Sequence, residues 1–226
     1  MIAEQPRDSW LIWQLVDSAF PSGGFAHSAG LEAAVQWGEL ESPDALELFI
    51  RDSLVQAGRS AVPIVNALHR QEQPFAELDQ LSEALLSNHV ANRASRNQGR
   101  ALLASSISAF DLPRLKALKQ AIREQGLPSH QVPVWAAVTE ALIVSAEQAS
   151  RMFLFQLLRS LISSAVRLHV IGPLGGQALQ YQLSPFAEEV FRQGSSRSLD
   201  DVIQTAPLLE IFQGTQDRLY SRLFQS

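Results

Sequence analysis

Residues 146–170 read AEQASRMFLFQLLRSLISSAVRLHV; within them Leu154, Leu158, Leu161, Ala165 and His169 recur at three- and four-residue steps while Phe153, Leu157 and Val166 fill a second face. Two apolar faces on one helical period mark a helix covered on most sides, which belongs at the centre of its fold. Ser145 followed by Gln148 has the spacing of a capping box and sets its start. Gln156, Arg159 and Arg167 interrupt the run, whereas a membrane span needs about 20 mostly apolar residues. The stretch therefore reads as a buried core helix, and no membrane partner is expected.

Downstream, the turn residues Gly172, Pro173, Gly175 and Gly176 predict a sharp break, after which residues 177–193 resume as a helix bent at Pro185. Ser198 with Asp201 is a second capping box, and Pro207 and Gly214 cut the C-terminal part into two short pieces. Upstream, Pro113 to Gly126 brackets one helix and residues 133–144 another. Helices are also predicted over 75–86 and 91–110. Ser42 and Pro43 open a helix that Gly58 closes at its C-terminal cap, with further starts at Pro63 and Pro74. Residues 10–19 form an apolar segment closed by Pro21, Ser22, Gly23 and Gly24, whose glycines permit positive φ; a short helix over 27–37 then ends at Gly38. Strand-like alternation is absent. The expectation is an all-α fold, one domain over 1–226, with about ten helices around 146–170.

With 226 residues and 46% hydrophobic content the chain is long enough for a sizeable core. A net charge of -5 argues against nucleic acid as a partner. Cysteine is absent, which removes disulfides, thiolate nucleophiles and all-thiolate metal sites and suits a reducing compartment. Residues 1–8 carry acid and proline where a secretory signal has a basic start and an apolar run, so a cytoplasmic location is expected. The only lysines are Lys116 and Lys119; positive charge is otherwise arginine, suited to planar contacts with carboxylates and carbonyls.

Neither lysine follows a glycine-rich loop, so the chain carries no P-loop of its own. His27, His69, His89, His130 and His169 form no helical pair with an intervening acid and no short clip, so no metal ligand is assigned. Ala26, Ser28 and Gly30 are spaced like a nucleophile elbow with Ser28 as nucleophile, which keeps a serine hydrolase as the alternative function. An elbow needs a strand before it, and a proline-glycine turn precedes this one. The competing reading is that Ser28 caps or packs in a helical first turn.

Taken whole, residues 17–32, DSAFPSGGFAHSAGLE, resemble the N-terminal signature of the urease accessory protein family UreF. Ala94, Ser95 and residues 98–103 (QGRALL) resemble that family's mid-chain helix; 164–168 (SAVRL) and 172–177 (GPLGGQ) resemble its arginine and P-L-G turn, in a form close to the plant-like branch. Residues 207–210 (PLLE) and 219–226 (LYSRLFQS) resemble its C-terminal end. The family's H-x-P-V element is one residue longer here, His130 to Val134, and is followed by Trp135 and Ala136; His130 is not carried over as a site.

The resemblance implies a helical, non-catalytic homodimer that bridges UreD (also called UreH) and the GTPase UreG in a complex loading nickel into apo-urease, with no tightly bound cofactor of its own and GTP held by the partner. It implies a C-terminal tail over about 215–226 that contacts UreD, which makes Tyr220, Arg222, Leu223 and Phe224 candidate partner contacts; the alternative is that the tail docks on its own core as a last amphipathic helix. Phe25 and His27 lie in the turn that the tail approaches, with Arg222 expected to donate to carbonyls there and Phe25 to stack. On the UreG side the resemblance suggests Glu32, Arg167 and Gln177. Arg167 also suits the negative end of a helix dipole, and Glu32 a capping or solvated position.

Overall fold

Helices occupy most of residues 6–226, the part of the chain that the computed structural model describes: α1 (Pro6–Val16), α2 (Leu31–Gln36), α3 (Pro43–His69), α4 (Phe75–Leu85), α5 (His89–Phe110), α6 (Pro113–Gln125), α7 (Gln131–Ala141), α8 (Ala146–Arg167), α9 (Pro173–Ser195) and α10 (Pro207–Thr215). Among these residues there is no strand, and none of the helices is long and apolar enough to cross a membrane. The all-α expectation therefore holds.

The central helix starts where its cap predicts, with the Ser145 hydroxyl accepting the Gln148 N–H at 3.2 Å. It stops at Arg167, three residues early. His169 adopts a left-handed conformation (φ 60), its N–H bonds to the Val166 carbonyl, and the Val170 N–H reaches back to Ala165 at 3.0 Å, which closes the helix in a Schellman turn. Leu154, Leu158, Leu161, Ile162 and Ala165 of α8 join α2, α3, α9 and α10 in one apolar cluster, while Ala149 and Met152 join α5, α6 and α7 in a second. α8 thus lies between two halves of the core.

The helix expected to end at Gly58 instead continues as α3 to His69, through Gly58 and Pro63. Glycine serves there as a gap. A Cβ on Gly58 would fall 2.4 Å from the Val190 side chain, and one on Gly194 would fall 2.4 Å from the Gly58 carbonyl, so α3 and α9 cross backbone to backbone. Pro63 forfeits one helical hydrogen bond at a cost of about 3 kcal/mol, but Val62, Ile64 and Val65 beside it are fully buried, each contributing roughly 1.5–3 kcal/mol. Burial wins. α7 likewise starts before its proline, placing Pro133 in the first turn where a missing N–H leaves nothing unpaired.

Three further expectations change. Gly172 and Pro173 are the cap and first residue of α9, so Gly175 and Gly176 lie inside its first turn, with Gly176 against Ile162 and Val166. Gly214 lies within α10. The short helix predicted over 27–37 begins only at Leu31, because Ala29 and Gly30 both have positive φ. The capping box at Ser198 and Asp201 is present, on a single 3-10 turn.

Candidate functional site

The turn between α1 and α2 is built by local chemistry. Asp17 accepts the Ala19 N–H at 2.6 Å, Gly23 takes the left-handed conformation (φ 79), and residues Gly24–Ala26 form one 3-10 turn that leaves His27 extended. Pro21 precedes the bend. Gly24 itself needs no positive φ.

The last residues of the sequence lie against this turn. The Gln225 N–H donates to the Ala26 carbonyl at 2.8 Å, the Ser28 N–H and hydroxyl both donate to the Ser226 carbonyl, and His27 Nδ1 and Ser226 Oγ are 2.5 Å apart. Glu32 supplies the strongest hold. The residue is 2% exposed, and its carboxylate accepts the backbone N–H groups of Leu223 (2.6 Å) and Phe224 (3.1 Å) and the side-chain amide of Gln216 (2.5 Å). An ionised carboxylate met by three donors is a favourable buried arrangement, since charge-assisted hydrogen bonds are about twice as strong as neutral ones.

Because one carboxylate gathers two successive amides, the tail bends there and forms no helix. Phe224 turns inward (3% exposed) and Arg222 outward, where it pairs with Asp217 at 3.0 Å. The expectation that Arg222 donates to the turn is thereby corrected. Arg167 does so instead: Nη1 reaches the Phe25 carbonyl at 2.7 Å, and the guanidinium lies between the rings of Phe25 (4.0 Å) and Phe224 (4.1 Å). The arginine assigned to a separate face thus joins the turn to the tail. Glu32 is likewise interior, neither a cap nor a solvated side chain. Gln177 stays exposed on α9, away from these contacts.

Of the candidate contacts, Phe25 (69% exposed), Tyr220 (fully exposed) and Leu223 (53%) face solvent, while His27 and Phe224 are buried. Burial, with a smaller push from Arg93, holds the His27 imidazole below its ordinary pKa, so it is neutral at pH 7. Beneath the turn a cavity of about 510 Å³ is lined by Phe20, Phe25, Gln98, Ser163 and Arg167 among others. At its edge Gln156 donates to the Leu15 carbonyl at 2.8 Å and Arg159 to that of Val16, satisfying the last carbonyls of α1.

Ser28 does not stand at an elbow. It is 1% exposed, no strand precedes it among the described residues, and its hydroxyl is given to the Ser226 carbonyl. A different serine is placed beside a histidine and an acid, which the sequence did not reveal: Ser95 Oγ lies 3.1 Å from His130 Nδ1, and His130 Nε2 lies 2.7 Å from Glu83. Ser95 also accepts the Gln131 N–H, and the void beside it holds about 50 Å³, too little for an acyl substrate. Nearby Asp79, fully buried, accepts the N–H groups of Ser129 and His130 at 2.8 and 2.7 Å; burial raises its pKa against the pull of those two bonds. These groups fasten α4 and α5 to the start of α7. Among the described residues no group of three or more His, Asp or Glu is placed to hold a metal ion.

A family model described as UreF matches residues 40–184, more than half of the chain. Urease accessory protein F of Arabidopsis thaliana is 37% identical over 221 residues, covering 96% of this chain and 92% of that protein. Urease accessory protein F of Oryza sativa subsp. japonica is 36% identical over 219 residues (95% and 84%), and urease accessory protein UreF of Bacillus sp. (strain TB-90) is 32% identical over 223 residues (95% and 97%).

Proposed function

The chain belongs to the UreF family of urease accessory proteins, and from that membership we propose that it serves urease maturation as a scaffold: a non-catalytic, cytoplasmic, homodimeric protein that bridges UreD (UreH) and the GTPase UreG while nickel is delivered to apo-urease. GTP is held by the partner. The observation that carries the reading is the composite surface made when the tail docks on the 17–32 turn, which presents Phe25, Tyr220 and Leu223 to solvent over a clamp of buried Glu32 and half-buried Arg167. Exposed aromatic side chains beside an arginine have the make-up of a binding hot spot.

In this reading the UreD side is formed by Phe25, Tyr220, Leu223 and Arg222, with His27 and Phe224 shaping it from beneath. Gln177, exposed on α9, serves the UreG side, while Arg167 acts from the turn and tail. A scaffold acts by binding one conformation of its partner more tightly than another, so it biases the GTPase toward the state it prefers. The test is removal of residues 219–226, which leaves Gln216 and every helix in place. Helical content should persist while co-purification with UreD and activation of urease are lost; a shortened chain that still recovers UreD and active urease overturns the proposal.

A further inference from the structure

Positions 93, 96 and 100 fall on one face of α5 by their three- and four-residue steps. Arg93 and Arg96 keep 48% and 38% of their side chains exposed, Arg100 is exposed, and His89 stands at the head of the row. Together they line a shallow cleft of about 530 Å³. This is an unusual concentration of cations on a chain of net charge -5.

Two carboxylates reach the row, and both are shared. Asp217 accepts two hydrogen bonds from Arg93 (2.9 and 3.0 Å) and one from Arg222 (3.0 Å), with His89 at 3.6 Å. Glu83 is bound to His130 at 2.7 Å and lies 3.5 Å from Arg96, whose buried Nε has no hydrogen-bond partner. Arg100 reaches only the Asn97 amide of its own helix, at 2.7 Å. Four guanidiniums therefore face two carboxylates, one of them already engaged by a histidine. Arg222, which shares Asp217 with Arg93, lies in a tail that also exposes Tyr220, and arginine with exposed aromatic side chains is the composition of protein interfaces.

We infer that the face formed by Arg93, Arg96, Arg100 and Arg222 docks an acidic segment of a protein partner, and that Asp217 occupies its arginine fork as an internal stand-in for the partner's carboxylate. The inference rests on the scaffold reading and adds the chemistry of one partner surface. A protein segment fits better than nucleic acid: a long polyanion feels the repulsion of the whole chain, whereas a short acidic segment feels charges within about 8 Å at physiological salt. When the partner's carboxylate enters, Asp217 releases Arg93 and Arg222, so the tail shifts as the partner binds.

The probe is a short fluorescein-labelled poly-glutamate peptide, with binding to the full chain followed by anisotropy. Arg100→Glu disturbs only the contact with Asn97 and should weaken binding about fivefold. Asp217→Asn and Arg93→Glu break the same ion pair yet should act in opposite senses, the first tightening binding about two- to fivefold and the second weakening it at least as much. Equal affinity in Arg100→Glu, a shift of the same sign in the Asp217 and Arg93 variants, or stronger binding of an oligonucleotide of equal charge overturns the inference. Peptide binding that follows this pattern in a chain unable to support urease maturation would sustain the docking face and remove the accessory role.

Discussion

Glu32, in the first turn of α2, accepts the Leu223 N–H at 2.6 Å across 191 residues of sequence. That contact and its neighbour at Phe224 define the conformation of the tail. Glu32→Gln keeps the size of the side chain and removes its charge, turning an acceptor toward one amide into a donor facing it. Hydrogen bonds to charged groups are worth about 1.5–3 kcal/mol, so the amides of Leu223 and Phe224 should exchange about tenfold faster or more while amides of α3 and α8 are unchanged. Unaltered exchange at Leu223 would show that the carboxylate does not hold the tail.

Arg167 couples the turn to the tail through Phe25 and Phe224. A double-mutant cycle of Arg167→Ala and Phe224→Ala, read by denaturant unfolding, should give a coupling of about 0.5–2 kcal/mol. Arg167→Lys retains the charge but not the flat face or the bond to the Phe25 carbonyl, and should recover less than half of it. Additive effects would mean that the stacking carries no energy.

His27 sets a pH dependence with a definite sign. Its pKa is lowered in the docked state, chiefly by burial, and returns toward about 6.5 when the tail leaves. The released state therefore binds more protons between those two values, and docking is fully stable above pH of about 6.5 and weakens as pH falls below it. Protection of the Gln225 amide should drop on acidification from neutral pH, and His27→Gln should flatten that slope. Asp217, held low chiefly by its bond to Arg93, contributes in the same direction only at much lower pH.

Ile143 is 92% exposed and sits in the left-handed region (φ 63) at the end of α7. A β-branched residue is strained there by about 1–2 kcal/mol, whereas asparagine tolerates that conformation. Ile143→Asn should raise the midpoint of thermal unfolding by about 2–4 °C; a lower midpoint would contradict the assigned strain.

Gly58→Ala should do the reverse. Its Cβ would strike Val190 and push α3 from α9, and overpacking of this kind costs about 1–3 kcal/mol. Calorimetry of the full chain would register the loss as a lower midpoint.

Signals that act over a few residues were legible in the sequence. Ser145 capping α8, Pro113 and Gly126 bounding α6, and the Ser198 and Asp201 box all depend on neighbours within one turn. Gly58 was misread because its role lies on another helix, where Gly194 and Val190 need the space; a missing side chain looks the same at a cap and at a crossing. The tail residues were placed near the 17–32 turn by family likeness. The exchange of roles between Arg222 and Arg167 was hidden, because it follows from the bend that Glu32 imposes on residues 223 and 224. Ser95 and His130 meet across 35 positions with no periodic signature.

The long reach from Glu32 to the tail also sets an order of events during synthesis. At about 5–20 residues per second, roughly 10–40 s pass between translation of Glu32 and of Leu223. Through that interval the nascent polypeptide on the ribosome has α2 without the amides that answer its carboxylate. A truncated translation product, however helical, therefore never acquires the tail docked over the 17–32 turn.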